Sequence, residues 1–180
     1  MKDLKGTKTE ANLMAAFNGE SQARNKYTFY AHKARNDGYE QIAKIFEETA
    51  SNEKEHAEIW FKLLQGGNLK ITEENLLDAA NNENYEWSEM YKEFAEVAKE
   101  EGFGEIGFLF EKVAAIEAEH EKRYLTLLDN VKNNKVFEKD EKVYWKCNVC
   151  GNVVYANSAP EVCPVCKHPK AKFEIKAENY

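Results

Sequence analysis

From Thr9 to Asn36 apolar residues return every three or four positions, at Leu13, Phe17, Ala23, Tyr27, Ala31 and Ala34. That is the period of a helix with one apolar face, and Asn36-Asp37-Gly38 supplies its stop. A second stripe, Ile42, Ile45, Phe46, Ala50, Ala57, Trp60 and Leu64, runs to Gln65-Gly66-Gly67, whose glycines can take the left-handed conformation of a C-cap. Thr72 is placed to cap a third helix through Leu76, Leu77, Ala80, Trp87, Met90, Tyr91, Phe94 and Ala98 to Gly102. A fourth follows from Phe103 to about Val131, so four long helices fill residues 9–131. The pattern then changes. KNNKVFEKDEK, residues 132–142, reads as a polar, solvated linker. Residues 143–180 have the glycine, proline and aromatic spacing of a small loop-rich β module that needs a staple to fold. The expected class is mainly α: a four-helix bundle over 1–135, a linker over 136–142 and a small β-rich domain over 143–180.

The helices repeat. Residues 38–56 align without gaps on residues 102–120, an offset of 64, with Gly, Ile, Phe, Glu, Ala, Glu, Glu and His coinciding. The bundle therefore reads as a duplicated helical hairpin. Its apolar stripes are interrupted in a regular way. Glu53 falls in the stripe between Phe46 and Leu64 with His56 at the edge, and Glu117 and His120 repeat this against Phe110 and Leu128. Glu20 interrupts the first helix, Glu83 shares a face with Trp87, Met90 and Phe94, and Glu86 lies one turn on toward the flank. Five carboxylates and two imidazoles are thus directed inward, with Arg24 the only basic residue near. Buried unpaired charges cost several kcal/mol each. A pair of metal cations accepting oxygen and nitrogen ligands neutralises them most cheaply. One Glu from each of two helices and a Glu-x-x-His pair from each of the other two is a known arrangement for holding two irons. One Glu-x-x-His alone is a weak signal, whereas two at a repeat offset, each with a Glu about 33 residues upstream, are strong. Tyr27 and Tyr91 share the inward faces, by default as packing residues and, more sharply, as hydrogen-bond donors to a ligand carboxylate. His32 and His168 are read as structural.

All four cysteines lie within twenty residues, as CNVCG at 147–151 and CPVC at 163–166. Two Cys-x-x-Cys knuckles can close four thiolates around one metal. Spacing alone fits zinc or a single iron equally. Tyr144, Trp145, Tyr155, Pro164 and Phe173 surround the knuckles with an aromatic core of rubredoxin kind, and that analogy favours iron.

Composition narrows the class further. The 180 residues are 43% hydrophobic and 32% charged, with a formal charge of -7, values of a folded chain with a highly charged surface. No basic patch suits a phosphate backbone, so a nucleic-acid partner is not expected. MKDLKGTKTEANLM has no apolar leader pattern and no later run approaches ~18 apolar residues, so the expectation is a soluble cytoplasmic protein without a membrane partner.

Taken together, FNGESQARNKYT at 17–28, IFEETASNEKEH at 45–56, ENYEWSEMY at 83–91, IEAEHEKR at 116–123 and VFEKDEKVYWKCNVCG at 136–151 resemble the rubrerythrin family over essentially the whole chain. The resemblance implies a ferritin-like bundle joined to a rubredoxin-like domain. It implies a non-haem di-iron centre held by Glu20, Glu53, Glu83, Glu86, Glu117 and His120, with His56 replacing Glu86 on one iron in the reduced state. Cys147, Cys150, Cys163 and Cys166 would hold a fourfold-thiolate iron. It further implies reduction of hydrogen peroxide to water as an oxidative-stress defence, with no catalytic residue beyond the di-iron ligands. An external electron donor, a rubredoxin or an NAD(P)H-dependent reductase, would feed a head-to-tail homodimer. Two departures stand out: Lys167 follows Cys166 where free-standing rubredoxins have Gly, and Asn82 precedes Glu83 where Gly19 precedes Glu20. The rival readings are a ferroxidase or iron-handling ferritin-like protein, a peroxide-dismuting manganese pair, and a helical scaffold with a zinc ribbon.

Overall fold

A computed structural model describes residues 3–179, which divide into two compact units, one ending at Lys70 and one beginning at Ile71.

The first unit is an antiparallel hairpin of α1 (Lys8–Asn36) and α2 (Glu40–Leu64). Thr7 caps α1 by accepting the Glu10 N–H at 3.1 Å, while the Glu10 carboxylate reaches back to the Gly6 N–H at 2.6 Å, just before the cap, so side chains fix both sides of the helix start. Gly38 turns the chain at φ 86°, and Gly66 and Gly67, at 86° and 110°, end α2 as the sequence suggests. The seam is built from alanines: Ala31, Ala34, Ala43, Ala50 and Ala57 are buried. Small side chains bring the two backbones close, and Phe17 stacks on Phe61 at 5.2 Å. Near the turn the Arg35 guanidinium forks onto both oxygens of Glu47, at 2.8 and 3.0 Å, and onto Glu40 at 3.1 Å.

The second unit begins with α3 (Thr72–Tyr85), passes through one wide π turn (Glu86–Met90), continues as α4 (Tyr91–Glu100) and returns along α5 (Gly104–Lys132). The expected single third helix is therefore interrupted. Thr72 is not its cap either: it is the first helical residue, and Ile71 holds the cap position without a side-chain bond. Ala80, Ala95, Ala98 and Leu128 are buried along the seam. α5 crosses α4 so closely that a Cβ on Gly107 would lie 3.0 Å from the Ala95 carbonyl oxygen, whereas the first hairpin carries Ala43 at the matching position.

A three-stranded antiparallel sheet, ordered β2-β1-β3, follows, with β1 at Glu138–Cys147, β2 at Val153–Ser158 and β3 at Phe173–Ile175. This corrects the linker reading. Glu138 already pairs with Ser158, and Phe137 packs on the core of the small domain, whose buried residues are Trp145, Cys147, Ala159, Cys163 and Phe173. The polar run looked solvated because its charged side chains are on the outside of a strand. Strand alternation also divides the expected aromatic core. Trp145 is fully buried and donates to the Ala156 carbonyl at 3.0 Å, while Tyr144 and Tyr155 lie tilted against each other, 4.7 Å between ring centres, on the exposed face. No helix among the described residues is long and apolar enough to cross a membrane.

The Arg35 fork holds the Glu47 carboxyl below the usual carboxylate range. A lowered folded-state value means that the stabilisation is present above the ordinary range and is lost as pH falls through it. Glu47→Gln should therefore be less stable than the parent at neutral pH, with the difference closing between pH about 5 and 3, as read from thermal melts across that range.

Candidate metal centres

Each hairpin gathers one set of ligand atoms. In the first, Glu20, Glu53 and His56 offer atoms that all lie within 4.8 Å of one another. His56 Nδ1 is 2.9 Å from Glu53 and 3.9 Å from Glu20. In the second, Glu83, Glu117 and His120 do the same, with His120 Nδ1 at 2.7 Å from Glu117 and 3.8 Å from Glu83. The two sets match in type, order and spacing because i and i+3 on a helix share a face, and the partner helix brings its glutamate alongside. Aromatics match as well: Tyr27 lies 6.1 Å from Phe46, and Tyr91 lies 5.8 Å from Phe110.

The charges within each set are uncompensated. Among the described residues the ion-pair partners of Glu20, Glu53, Glu83 and Glu117 are the histidines alone, with no Lys or Arg. The Glu83 carboxyl is pushed above its usual range, by desolvation first and then by the Glu117 charge. Oxygens and an imidazole nitrogen converging without a basic neighbour are the donor set of a hard or borderline cation, so these residues fit di-iron ligation. The interior placement expected from the stripes holds only in part. Within their own units Glu53 and Glu117 are mostly covered, but His56 is 51% exposed and His120 34%.

Glu86 stands outside both sets, and its setting explains the π turn. Tyr27 follows Glu20 by seven residues, and Tyr91 follows Glu83 by eight. Tyr27 and Tyr91 keep the repeat offset of 64, whereas Glu20 and Glu83 are offset by 63, so the second hairpin has gained one residue between them. In a regular helix that residue would swing everything beyond it by about 100°. The π turn absorbs it, as the Tyr91 N–H bonds the Glu86 carbonyl five residues back. Tyr91 stays against Phe110, and the Glu86 carboxylate acts electrostatically on both Glu83 and Tyr91. The slip from 64 to 63 was available in the sequence as a signal for this turn.

The cysteines form a third set. Cys147 and Cys166 Sγ are 3.7 Å apart, as are Cys150 and Cys163. A metal–sulfur bond of ~2.3 Å in a tetrahedron puts sulfurs ~3.8 Å apart. The knuckles are copies: Gly151 N–H bonds Cys147 O at 2.9 Å, and Lys167 N–H bonds Cys163 O at 3.0 Å. Lys167 keeps the backbone bond by adopting φ 61°, close to the 76° of Gly151, so the departure from glycine leaves the knuckle intact. The Cys163 thiol is lowered to about 6, chiefly by the backbone N–H of Cys166. For Cys166 the His168 backbone N–H pulls downward, but desolvation and bonds with Cys150, Cys163 and Cys147 outweigh it and push the thiol up to about 12. Four thiolates cannot coexist there without a cation.

Comparison with known proteins fits this geometry. The family model described as Rubrerythrin matches residues 11–128 and again 74–148, and that described as Rubrerythrin, rubredoxin-like domain matches residues 145–174. The chain is 51% identical to Rubrerythrin-1 of Clostridium acetobutylicum over 100% of both chains. It is 50% identical to rubrerythrin of Porphyromonas gingivalis over 99% of this chain and 95% of that one. The chain belongs to the rubrerythrin family. Rubrerythrin of Nitratidesulfovibrio vulgaris, 45% identical over 100% of both chains, extends the match. As a rubrerythrin-family oxidoreductase, this chain carries a rubredoxin-like iron site in its four cysteines and glutamate–histidine sets compatible with a di-iron centre.

Replacing Cys163 by Ser should abolish the tetrathiolate iron and its red colour while the far-ultraviolet helix signal stays, measured by metal analysis and circular dichroism on the same sample. Retained colour would contradict the assignment.

Proposed function

We propose that this protein reduces hydrogen peroxide to water at a di-iron centre refilled through the cysteine iron. What supports the reading is one combination: two matched Glu–Glu–His sets and a tetrathiolate set on a single chain. In it Glu20, Glu53, Glu83, Glu86, Glu117 and His120 are the di-iron ligands, and His56 is an alternative to Glu86. Two ferrous ions, when bound, supply one electron each, so that one peroxide and two protons become two waters.

The chain's own residues do the rest. The carboxylates neutralise the metal charge, and the two histidines set a nitrogen beside the oxygens. His56 and Glu86 offer one metal position a choice between imidazole, suited to the lower charge, and carboxylate, suited to the higher. The Tyr91 hydroxyl is pushed above its usual range by desolvation first and then by Glu86, Glu117 and Glu83, so it keeps its proton at Oη and can donate toward those carboxylates. Tyr27 is the corresponding group of the first hairpin. Phe46 and Phe110 give these sites an apolar flank. The cysteine set is a one-electron inlet, and it separates this reading from a ferroxidase, which needs no reductant store in the protein. An external donor reduces the cysteine iron, and a head-to-tail homodimer, in which one copy's cysteine iron serves the other's centre, is part of the proposal, as is a cytoplasmic location.

Mixing fully reduced protein with peroxide and separately with oxygen in a stopped-flow instrument tests the proposal. Peroxide should oxidise the centre far faster, and a preference for oxygen with accumulation of ferric iron would favour the ferroxidase. His56→Ala should keep its iron content but slow peroxide turnover on the order of tenfold, and unchanged turnover would remove the ligand-exchange role.

A further inference from the structure

Glu121 has no ligand role in the di-iron reading, yet it lies one helical turn beyond Glu117 on α5 and next to His120. Both of its oxygens are occupied. The Trp87 indole N–H donates to Oε2 at 2.6 Å, and the Asn84 amide donates to Oε1 at 3.0 Å. Asn84 and Trp87 are three residues apart on the chain that enters the π turn, one on each side of Glu86. The first hairpin has neither π turn nor clamp: Ala57 stands at the position matching Glu121, and Ser21 at that matching Asn84.

We propose that Glu121 is a positioning residue that fixes the π turn and thereby the direction of Glu86. A π turn is less favourable than the α-helix on either side of it, and an inserted residue can be absorbed elsewhere along a helix if nothing pins it. A carboxylate on the facing helix that accepts two charge-assisted bonds across the start of the turn does pin it. It also explains why Glu121 is absent from the ligand set, since both oxygens already have donors. The asymmetry of the site, with an extra carboxylate on one side only, would then be maintained from α5 as much as by the inserted residue. This inference rests on the di-iron reading for the role of Glu86, but the clamp itself is a property of the protein without metal.

The test uses full-length protein. In metal-free Glu121→Ala, exchange of the Trp87 indole proton, followed by nuclear magnetic resonance, should quicken about tenfold. On ferrous titration the carboxylate irons should fall from two per chain toward one, with the cysteine iron unchanged. Glu121→Gln should restore both readings because its amide oxygen still accepts the indole proton. Folded Glu121→Ala that binds both carboxylate irons as the parent does would overturn the proposal. Should that variant not fold, Trp87→Phe removes the indole donor and keeps an aromatic side chain, and unchanged iron binding there would overturn it equally. Failure of the peroxidase reading would appear instead as unaltered protein that binds its irons but does not consume peroxide.

Discussion

Like charges held together without basic neighbours are the constraint on which this molecule is built. Two unit charges about 4 Å apart repel by roughly 4 kcal/mol at an effective dielectric of ~20. At Glu83 desolvation first, and then the Glu117 charge, raise the carboxyl above its usual range. Rigid elements have to hold such groups in place against their own preference to separate. The alanine seam of the first hairpin, with Ala31, Ala43 and Ala50 buried, and that of the second, with Ala80, Ala95 and Ala98, do so by packing backbone close to backbone. Long apolar side chains at the same positions would hold the helices further apart and open the ligand sets.

Duplication produced two equivalent half-sets, and a single extra residue made them unequal. An extra residue in a regular helix would turn Tyr91 off the face that Glu83 occupies, so keeping both on one face requires the helical phase to be restored. Insertion with a compensating π turn achieves this because the disturbance to helical phase is confined to five residues, Glu86–Met90, and Phe94 and Phe110 still meet at 5.6 Å beyond it. The second hairpin then carries the features that the first lacks: the π turn, Glu121 with its two donors, and the close α4–α5 crossing at Gly107.

Periodicity made the helices and the ligand types legible because apolar stripes with a repeated polar interruption survive in one dimension. Glu53 and His56 announced themselves by standing in a stripe, and their copies at an offset of 64 confirmed it. What periodicity could not convey was a change of phase. Across the third helix the stripe reads on through Trp87, Met90 and Tyr91 as though regular, since a π turn alters the angle per residue and not the residue types. Glu121 escaped for a related reason: its importance comes from two donors on another helix, and nothing in its sequence neighbourhood distinguishes it from the other acids of α5. The strand start at Glu138 was hidden because a charged stretch of strand and the solvated run expected there have the same composition, and only Phe137 marked the boundary.

The two kinds of ligand also answer different physical needs. Thiolates in paired knuckles are set by backbone N–H groups at fixed spacing, so the cysteine geometry is held by the backbone. Carboxylates on helices keep rotatable arms, which lets them follow a change in the charge of a bound cation. A rigid site cannot follow that change, and a mobile one pays a reorganisation cost at every electron transfer. Placing the two chemistries on one chain, a small sheet for the first and long helices for the second, lets each scaffold meet its own demand without compromising the other.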